Sequence, residues 1–447
     1  MFPTEYQHRI KFSLIIPMKA FFLISNLYAM SRIQVSFSNQ VQTHEIAKQI
    51  AGNLMGYYND GTTAVQGCII QNSAKNYTGY EWYEGGKMWS AMMEYTKVIG
   101  DGKYINVVSD ALSQASAGST GSFLGKSPKF SETLLGRGND DILWWAFGPA
   151  AAAELLGKDA KMPSGVSFLN LAQTTYDQVW GDWDSSCGGG IWWSRNREGK
   201  DRYYKSTISQ SQQIYLGARL LALQGDKGFS SQTAQIYNYL VATGLITSDK
   251  RILDGINSDT TCRVNQNLYS YQNGMLIGAL AWLGKGTSNS AYINEANNLA
   301  RAALATYAPN SIFIEPCEPS CNSYHVAFKG ILIRGLGYLY EFTDDMTVKG
   351  LIKKALTESV GAMLSTCDNN YNCGNIWTGQ PNLPSNVHDQ LNALELITAY
   401  AKTFVDGPIP IPKLVTTPSS QSAGFSIPRY TSVNICFALF IISWIFQ

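Results

Sequence analysis

An all-α toroid of six helical hairpins, an (α/α)6 barrel, is the fold this sequence predicts, and three observations lead there. Between about residues 41 and 404 the apolar residues recur at helical i, i+3, i+4 spacing, over roughly 14–18 residues each time. The breaks between these runs alternate between short and long. The short breaks are rich in Gly and Asp, the residues that stop one helix and start the next.

The runs place helices near 41–58, 86–99, 103–116, 141–156, 166–180, 207–223, 231–246, 271–284, 289–307, 325–342, 346–365 and 387–404. The tight turns are Gly100-Asp101-Gly102, the Gly157-Lys158-Asp159 region, Gly225-Asp226-Lys227-Gly228, Gly284-Lys285-Gly286 and Thr343-Asp344-Asp345. Five hairpins follow, and the last helix beside the first makes a sixth pair. An open solenoid is the alternative, but no capping repeat is visible. The long breaks run about 17–27 residues, lengths that inside a compact domain are usually functional. With short turns at one end of every hairpin, all long breaks gather at the other. Trp82, Trp183, Trp192, Trp193 and Trp377 fall in them or at the helix starts that follow. Aromatic faces among carboxylates and amides suit a sugar, whose C–H faces stack while its hydroxyls need donors and acceptors.

Composition narrows the function. The 447 residues are 45% hydrophobic and 15% charged, with 34 basic side chains against 33 acidic ones. No basic stripe answers to phosphates, so nucleic acid is not an expected partner. The apolar content excludes a largely disordered chain.

Both ends read as addresses. Arg9, Lys11 and Lys19 lead into the apolar run Phe21–Met30, and small residues follow at Ser36 and Ser38, so residues 1–38 are expected to be a secretory signal. A catalytic domain then spans 39–405. Residues 406–430 form a stalk rich in Pro, Ser and Thr, with Ser420 or Ser422 as the attachment residue of a GPI anchor. Residues 431–447 are the apolar tail removed on attachment. A membrane-spanning tail is the alternative, but that needs about 20 apolar residues and normally basic residues after them. The expected location is the outer face of the plasma membrane and the cell wall.

Secretion favours disulfides. Cys317 with Cys321 and Cys367 with Cys373 are local pairs, Cys187 with Cys262 a long one, and Cys68 is left over. Zinc on the close pairs, with His325, lacks a fourth ligand, so no metal and no cofactor is expected. Asn76 opens a glycosylation acceptor, Asn76-Tyr77-Thr78.

Asp140 and Asp141 stand together at a helix start, before Ile142-Leu143-Trp144-Trp145. Asp caps helices for its own sake. Yet a long loop and two tryptophans adjoin this pair, and glycoside hydrolysis needs one ionised and one protonated carboxyl. Adjacent residues reach the separation of about 5 Å that retention uses, more easily than the 6.5–9.5 Å of inversion.

The sequence resembles glycoside hydrolase family 76, in its fungal, wall-associated, GPI-anchored branch. The segments that carry the resemblance occur in family order: Trp82-Tyr83-Glu84-Gly85-Gly86, Asn139-Asp140-Asp141, Cys187-Gly188-Gly189-Gly190-Ile191-Trp192-Trp193, Tyr204-Lys205-Ser206, Asp254-Gly255, Tyr269-Ser270-Tyr271-Gln272-Asn273-Gly274, Cys317-Glu318-Pro319 and Phe328-Lys329-Gly330. The resemblance implies an (α/α)6 fold and a retaining endo-α-1,6-mannosidase, with Asp140 as nucleophile and Asp141 as general acid/base. It is compatible with the three cysteine pairings. The substrate is α-1,6-mannan or a GPI glycan, and transfer of that glycan to wall glucan is open to a retaining enzyme. Gln272 and Tyr269 depart from the family's usual Asn and Trp, which keeps open a non-catalytic mannan-binding wall protein. For substrate contacts, Trp82 and Trp193 are expected to stack on mannose, or to pack the loops. Glu84, Asn139 and Asp254 are expected near sugar hydroxyls, with backbone donors as the competing partners of the two acids. Tyr271 and Gln272 pair a phenol with an amide, and Lys329 is either a substrate contact or a solvated helix charge. His325 and His388 are expected to be ordinary loop-end histidines.

Overall fold

The computed structural model describes residues 39–58, 67, 81–116, 120–124, 138–259, 261–322, 324–379 and 385–404. Asn76, Cys68, the expected signal and stalk, Ser420, Ser422 and the apolar tail expected to be removed lie outside them. Twelve α-helices stand among the described residues: α1 (Gln40–Met55), α2 (Trp82–Ile99), α3 (Ile105–Ala115), α4 (Asn139–Leu156), α5 (Phe168–Trp180), α6 (Thr207–Gln224), α7 (Phe229–Ala242), α8 (Ser270–Thr287), α9 (Ser290–Tyr307), α10 (Phe328–Phe342), α11 (Met346–Leu364) and α12 (Val387–Ala401).

The ring closes. Helices α2, α4, α6, α8, α10 and α12 pack each on the next, and α12 packs back on α2. The other six form an outer layer, with α12 also against α1. The two layers read differently in sequence. Outer α5 buries Phe168, Leu171, Ala172, Thr175, Tyr176 and Val179, one stripe at i, i+3, i+4, i+7. Inner α6 is buried on every side over Thr207–Leu221, which includes Gln210, Gln212, Gln213 and Arg219. Polar groups so placed must find partners. Arg219 pairs with Glu154 at 2.7 Å and Glu94 at 2.9 Å, and Arg334 with Glu395 and the Ser90 hydroxyl, so an ionic network runs where the inner helices meet.

Helix ends follow local rules. Ser167, Asp345 and Asn386 accept bonds from the first-turn N–H groups of α5, α11 and α12. Gly100 stops α2 at φ 78°. One predicted turn is displaced. Gly284-Lys285-Gly286 lies inside α8, and Ser288 takes the left-handed position instead. Gly284 serves packing: a Cβ there would come within 2.7 Å of Ile293 on α9.

The described parts of the long connections lie at the N-terminal ends of the inner helices. They include a three-stranded antiparallel sheet that the sequence reading lacked, β1 (Tyr204–Ser206), β2 (Gly255–Asn257) and β3 (Arg263–Asn265), in that order. All three expected disulfides form: Cys187–Cys262, Cys317–Cys321 and Cys367–Cys373.

Candidate active site

The inner helix starts and long connections enclose a cavity of about 540 Å³, within the usual range for ligand sites. Asp140, Asp141, Trp193 and Tyr271 line it, joined by Tyr83, Lys87 and Trp144. The last three were not singled out from sequence, though simple spacing links them. Lys87 follows Tyr83 by one turn of α2, and Trp144 follows the Asp pair by one turn of α4, so each faces the same way as its predecessor.

The Asp pair is fixed from below by the start of α4. Gly138 N–H donates to Asp141 Oδ2 at 2.7 Å, closing the first turn on that carboxylate. A Cβ on Gly138 would sit 2.7 Å from Asp140 Oδ1 and 3.4 Å from Asp141 Oδ2, so these two oxygens are within about 6 Å of each other. That is below the carboxyl separations inversion uses. Burial, and then the Asp141 charge, push the Asp140 carboxyl well above the ordinary carboxylate range, against hydrogen bonds from the Trp193 side chain and the backbone. The pair therefore holds one proton readily. Burial also raises the Tyr83 and Tyr271 hydroxyls, and nearby carboxylates add to it, so both stay protonated donors.

Asn139 is not in the cavity wall; it sets the wall's position. Fully buried, it donates to Asp182 at 2.9 Å and to the Trp192 carbonyl at 2.8 Å, and accepts from Arg195 at 3.0 Å. Its own N–H donates to the Trp193 carbonyl, while Trp193 N–H donates to the Tyr204 carbonyl, both at 2.9 Å. Trp193 is thus stapled between α4 and β1, with its side chain on Asp140.

The remaining expected contacts stand behind the wall. Trp82 stacks on Trp145 at 4.9 Å and takes its indole N–H on the backbone carbonyl. Glu84 accepts the Glu81 N–H and meets His388 Nε2 at 2.5 Å, so His388 is a buried partner across the α2–α12 seam and no loop-end bystander. Asp254 accepts from Tyr204 Oη at 2.5 Å, Asn265 at 2.9 Å and Gln272 at 2.5 Å, which ties Gln272 to the sheet. Lys329 is wholly buried, bonded to Glu318 at 2.7 Å and to the Asn375 carbonyl, over the Trp377 ring. Neither of its two expected settings is met. Its acceptors come from other loops, which its own helix does not reveal.

Two carboxyls this close in a sugar-sized cavity, with burial and their mutual charge favouring a proton on the pair, match the layout expected of a glycosidase. A sequence model of glycosyl hydrolase family 76 matches residues 42–410. The chain belongs to glycosyl hydrolase family 76. As a member it is a glycoside hydrolase. Among family 76 relatives, the mannan endo-1,6-alpha-mannosidase DCW1 of Candida albicans is 24% identical over 359 residues, 77% of this chain and 76% of that one. DCW1 of Saccharomyces cerevisiae is 23% identical over 377 residues, 82% and 80% of the two chains. Of solved structures, Dfg5 from Chaetomium thermophilum in complex with glucosamine aligns with a TM-score of 0.73 at 22% identity, covering 83% of this chain and 93% of that one. An inactive variant of the alpha-1,6-mannanase GH76A of Salegentibacter sp., with two consecutive aspartates changed to asparagine and alpha-1,6-mannotriose bound, aligns with a TM-score of 0.67 at 17% identity, covering 80% and 99%. These likenesses establish the family 76 (α/α)6 fold.

Proposed function

We propose that this family 76 hydrolase is a retaining endo-α-1,6-mannosidase that works through Asp140 and Asp141. The observation that carries the reading is the proximity of the two carboxylates at the cavity wall, within about 6 Å at their named oxygens. The names of the relatives supply the α-1,6-mannoside. The two consecutive aspartates whose change gives the inactive mannanase variant suit the same pair.

In the first step Asp140 attacks the anomeric carbon, the glycosidic C–O bond breaks, and Asp141 gives its proton to the leaving oxygen. Asp141 then takes a proton from the incoming hydroxyl as that oxygen displaces Asp140. Burial and the neighbouring charge let the pair hold one proton, and in this assignment that is the proton Asp141 delivers. Either water or a sugar hydroxyl completes the second step, and wall glucan is the acceptor we favour for transfer. We read residues 1–38 as the signal and residues 406–447 as the stalk and GPI tail, which put the enzyme on the outer cell surface.

The test is mass spectrometry of products from α-1,6-mannan oligosaccharides, with and without an acceptor glycan. Shortened mannosides establish hydrolysis, and a mannosylated acceptor establishes transfer. Binding without turnover by the unsubstituted protein sinks the enzymatic reading in favour of a mannan-binding wall protein.

A further inference from the structure

Three lysines, Lys87, Lys205 and Lys329, are almost wholly buried at or behind the cavity wall, and two of them are well provided for. Lys205 donates to the Asp184 carboxylate and carbonyl, the Ser186 carbonyl and hydroxyl, and the Gly189 carbonyl, at 2.8–3.1 Å. Lys329 has Glu318 and the Asn375 carbonyl. Lys87 differs. Only 3% exposed, its side chain reaches the cavity, and among the described residues it has no hydrogen-bond acceptor and no ion pair. What flanks its ammonium are two aromatic faces, Tyr83 and Trp144, each 5.7 Å away at the ring centre.

The charged groups around Lys87 are already engaged. Glu84, one turn away on α2, is held by His388 and by the Glu81 N–H. Arg334 from α10 and Glu395 from α12 are paired with each other. An ammonium this buried with no protein acceptor among the described residues is disfavoured, since cation–π contact restores only part of what full hydration gives. Accordingly burial pulls the Lys87 ammonium down to about 8, with Arg334 adding to the effect against Glu84 and Glu395.

We propose that Lys87 is a substrate-contacting residue whose ammonium donates to an oxygen of a neutral hexose in the cavity, and so helps set which sugar is accepted. A molecule in the cavity is placed to supply the acceptor, because Glu84 and Glu395, the carboxylates around it, are taken. An anionic substituent is the wrong partner: Glu81, Asp140, Asp141 and Asp201 line the same cavity and Lys87 is its single cationic side chain among the described residues. A hydroxyl or ring oxygen, with the aromatic faces of Tyr83 and Trp144 against the sugar's C–H groups, suits both charge and shape.

This inference rests on the mannosidase reading, so the experiment measures both. The probes are α-1,6-mannotriose and its monodeoxy analogues, used with the unsubstituted protein, Lys87→Met and Lys87→Gln. Loss of a contact made in ground and transition states raises KM and leaves kcat little changed. We expect KM to rise about 10- to 100-fold in Lys87→Met, the range for a hydrogen bond to a charged group. We expect a smaller rise in Lys87→Gln, which keeps a donor. One deoxy analogue should bind more weakly to the unsubstituted protein and show no further loss in Lys87→Met. Turnover by the unsubstituted protein, with KM and deoxy discrimination unchanged in both variants, overturns the inference alone. No turnover or binding of any mannoside by the unsubstituted protein removes the mannosidase reading, and the inference with it.

Discussion

Gly138 and Asp141 are joined by a 2.7 Å bond from the glycine N–H to the carboxylate, and the space where a Cβ would stand on Gly138 is filled by the Asp140 carboxylate. A single residue thus holds one acid of the pair and makes room for the other. Its backbone, at φ −71° and ψ 170°, is open to any residue, so the demand for glycine comes from the two carboxylates and from the Trp193 carbonyl, 3.1 Å from where a Cβ would stand. Gly138→Ala should therefore keep its unfolding temperature within a few degrees and lose about 100-fold in kcat, because misplacing a reacting group by about 1 Å costs that much. Thermal unfolding beside steady-state kinetics checks it; full activity in the variant would show that the pair tolerates displacement.

The two acids should separate by chemical rescue. Asp140→Asn and Asp141→Asn are each expected to lose about 100- to 10,000-fold or more in turnover of unactivated mannosides. With azide, loss of the nucleophile gives a glycosyl azide of inverted configuration, and loss of the acid/base gives one of retained configuration. Inverted product from Asp141→Asn would exchange the two roles.

Glu315 gives a stability signature away from the cavity. Burial pushes its carboxyl up to about 7 from an ordinary 4.5, Glu318 adds to this, and bonds from Ser270 and the Lys329 charge oppose it. Below pH 4.5 the group is protonated in folded and unfolded chains alike. As pH rises toward 7 the unfolded chain releases this proton and the folded one keeps it, so stability is lost across that window, about 3 kcal/mol in all. Glu315→Gln removes the term. Relative to the unsubstituted protein the variant should gain stability between pH 4.5 and 7, as read by denaturant unfolding; a pH-independent difference would contradict the shift.

Lys205→Met should cost about 2–4 kcal/mol, because three loop carbonyls and Asp184 lose their shared donor. The Cys187–Cys262 bridge pins the same loop, so the variant should unfold at lower denaturant while retaining the bridge, as thiol titration would confirm. Unchanged stability would mean that the loop repacks without the lysine.

What the sequence made legible follows from which forces are local. Every described α-helix was foreseen, since periodicity and capping lie within a dozen neighbouring residues. The Gly284 turn was misplaced because a packing glycine and a turn glycine look alike until the neighbour, Ile293, is known. Asp140 and Asp141 were legible as a pair with an adjoining aromatic helix. Lys87 was not, because α2 is buried nearly all round and its composition does not tell which face meets the cavity. Lys329 and His388 were misread for a related reason. Their partners lie in other segments, for His388 and Glu84 at a separation of 304 residues.

That seam between α12 and the first two helices governs how the ring assembles. Tyr57, just past α1, bonds the carbonyl of Ser385, just before α12, at 2.9 Å across 328 positions, so the two helices run antiparallel and residues 39 and 404 emerge on the face of the hairpin turns. Every other joint in the ring links helices much closer along the chain, and the entropy of closing a loop grows with its length. The hairpins close short loops, and the seam is the joint with the longest loop to close. Linking 404 to 39 and opening the chain at Gly225–Gly228 would exchange that longest-range joint for a local one, and would move the long-range joint to α6 and α7, leaving the cavity's residues where they are.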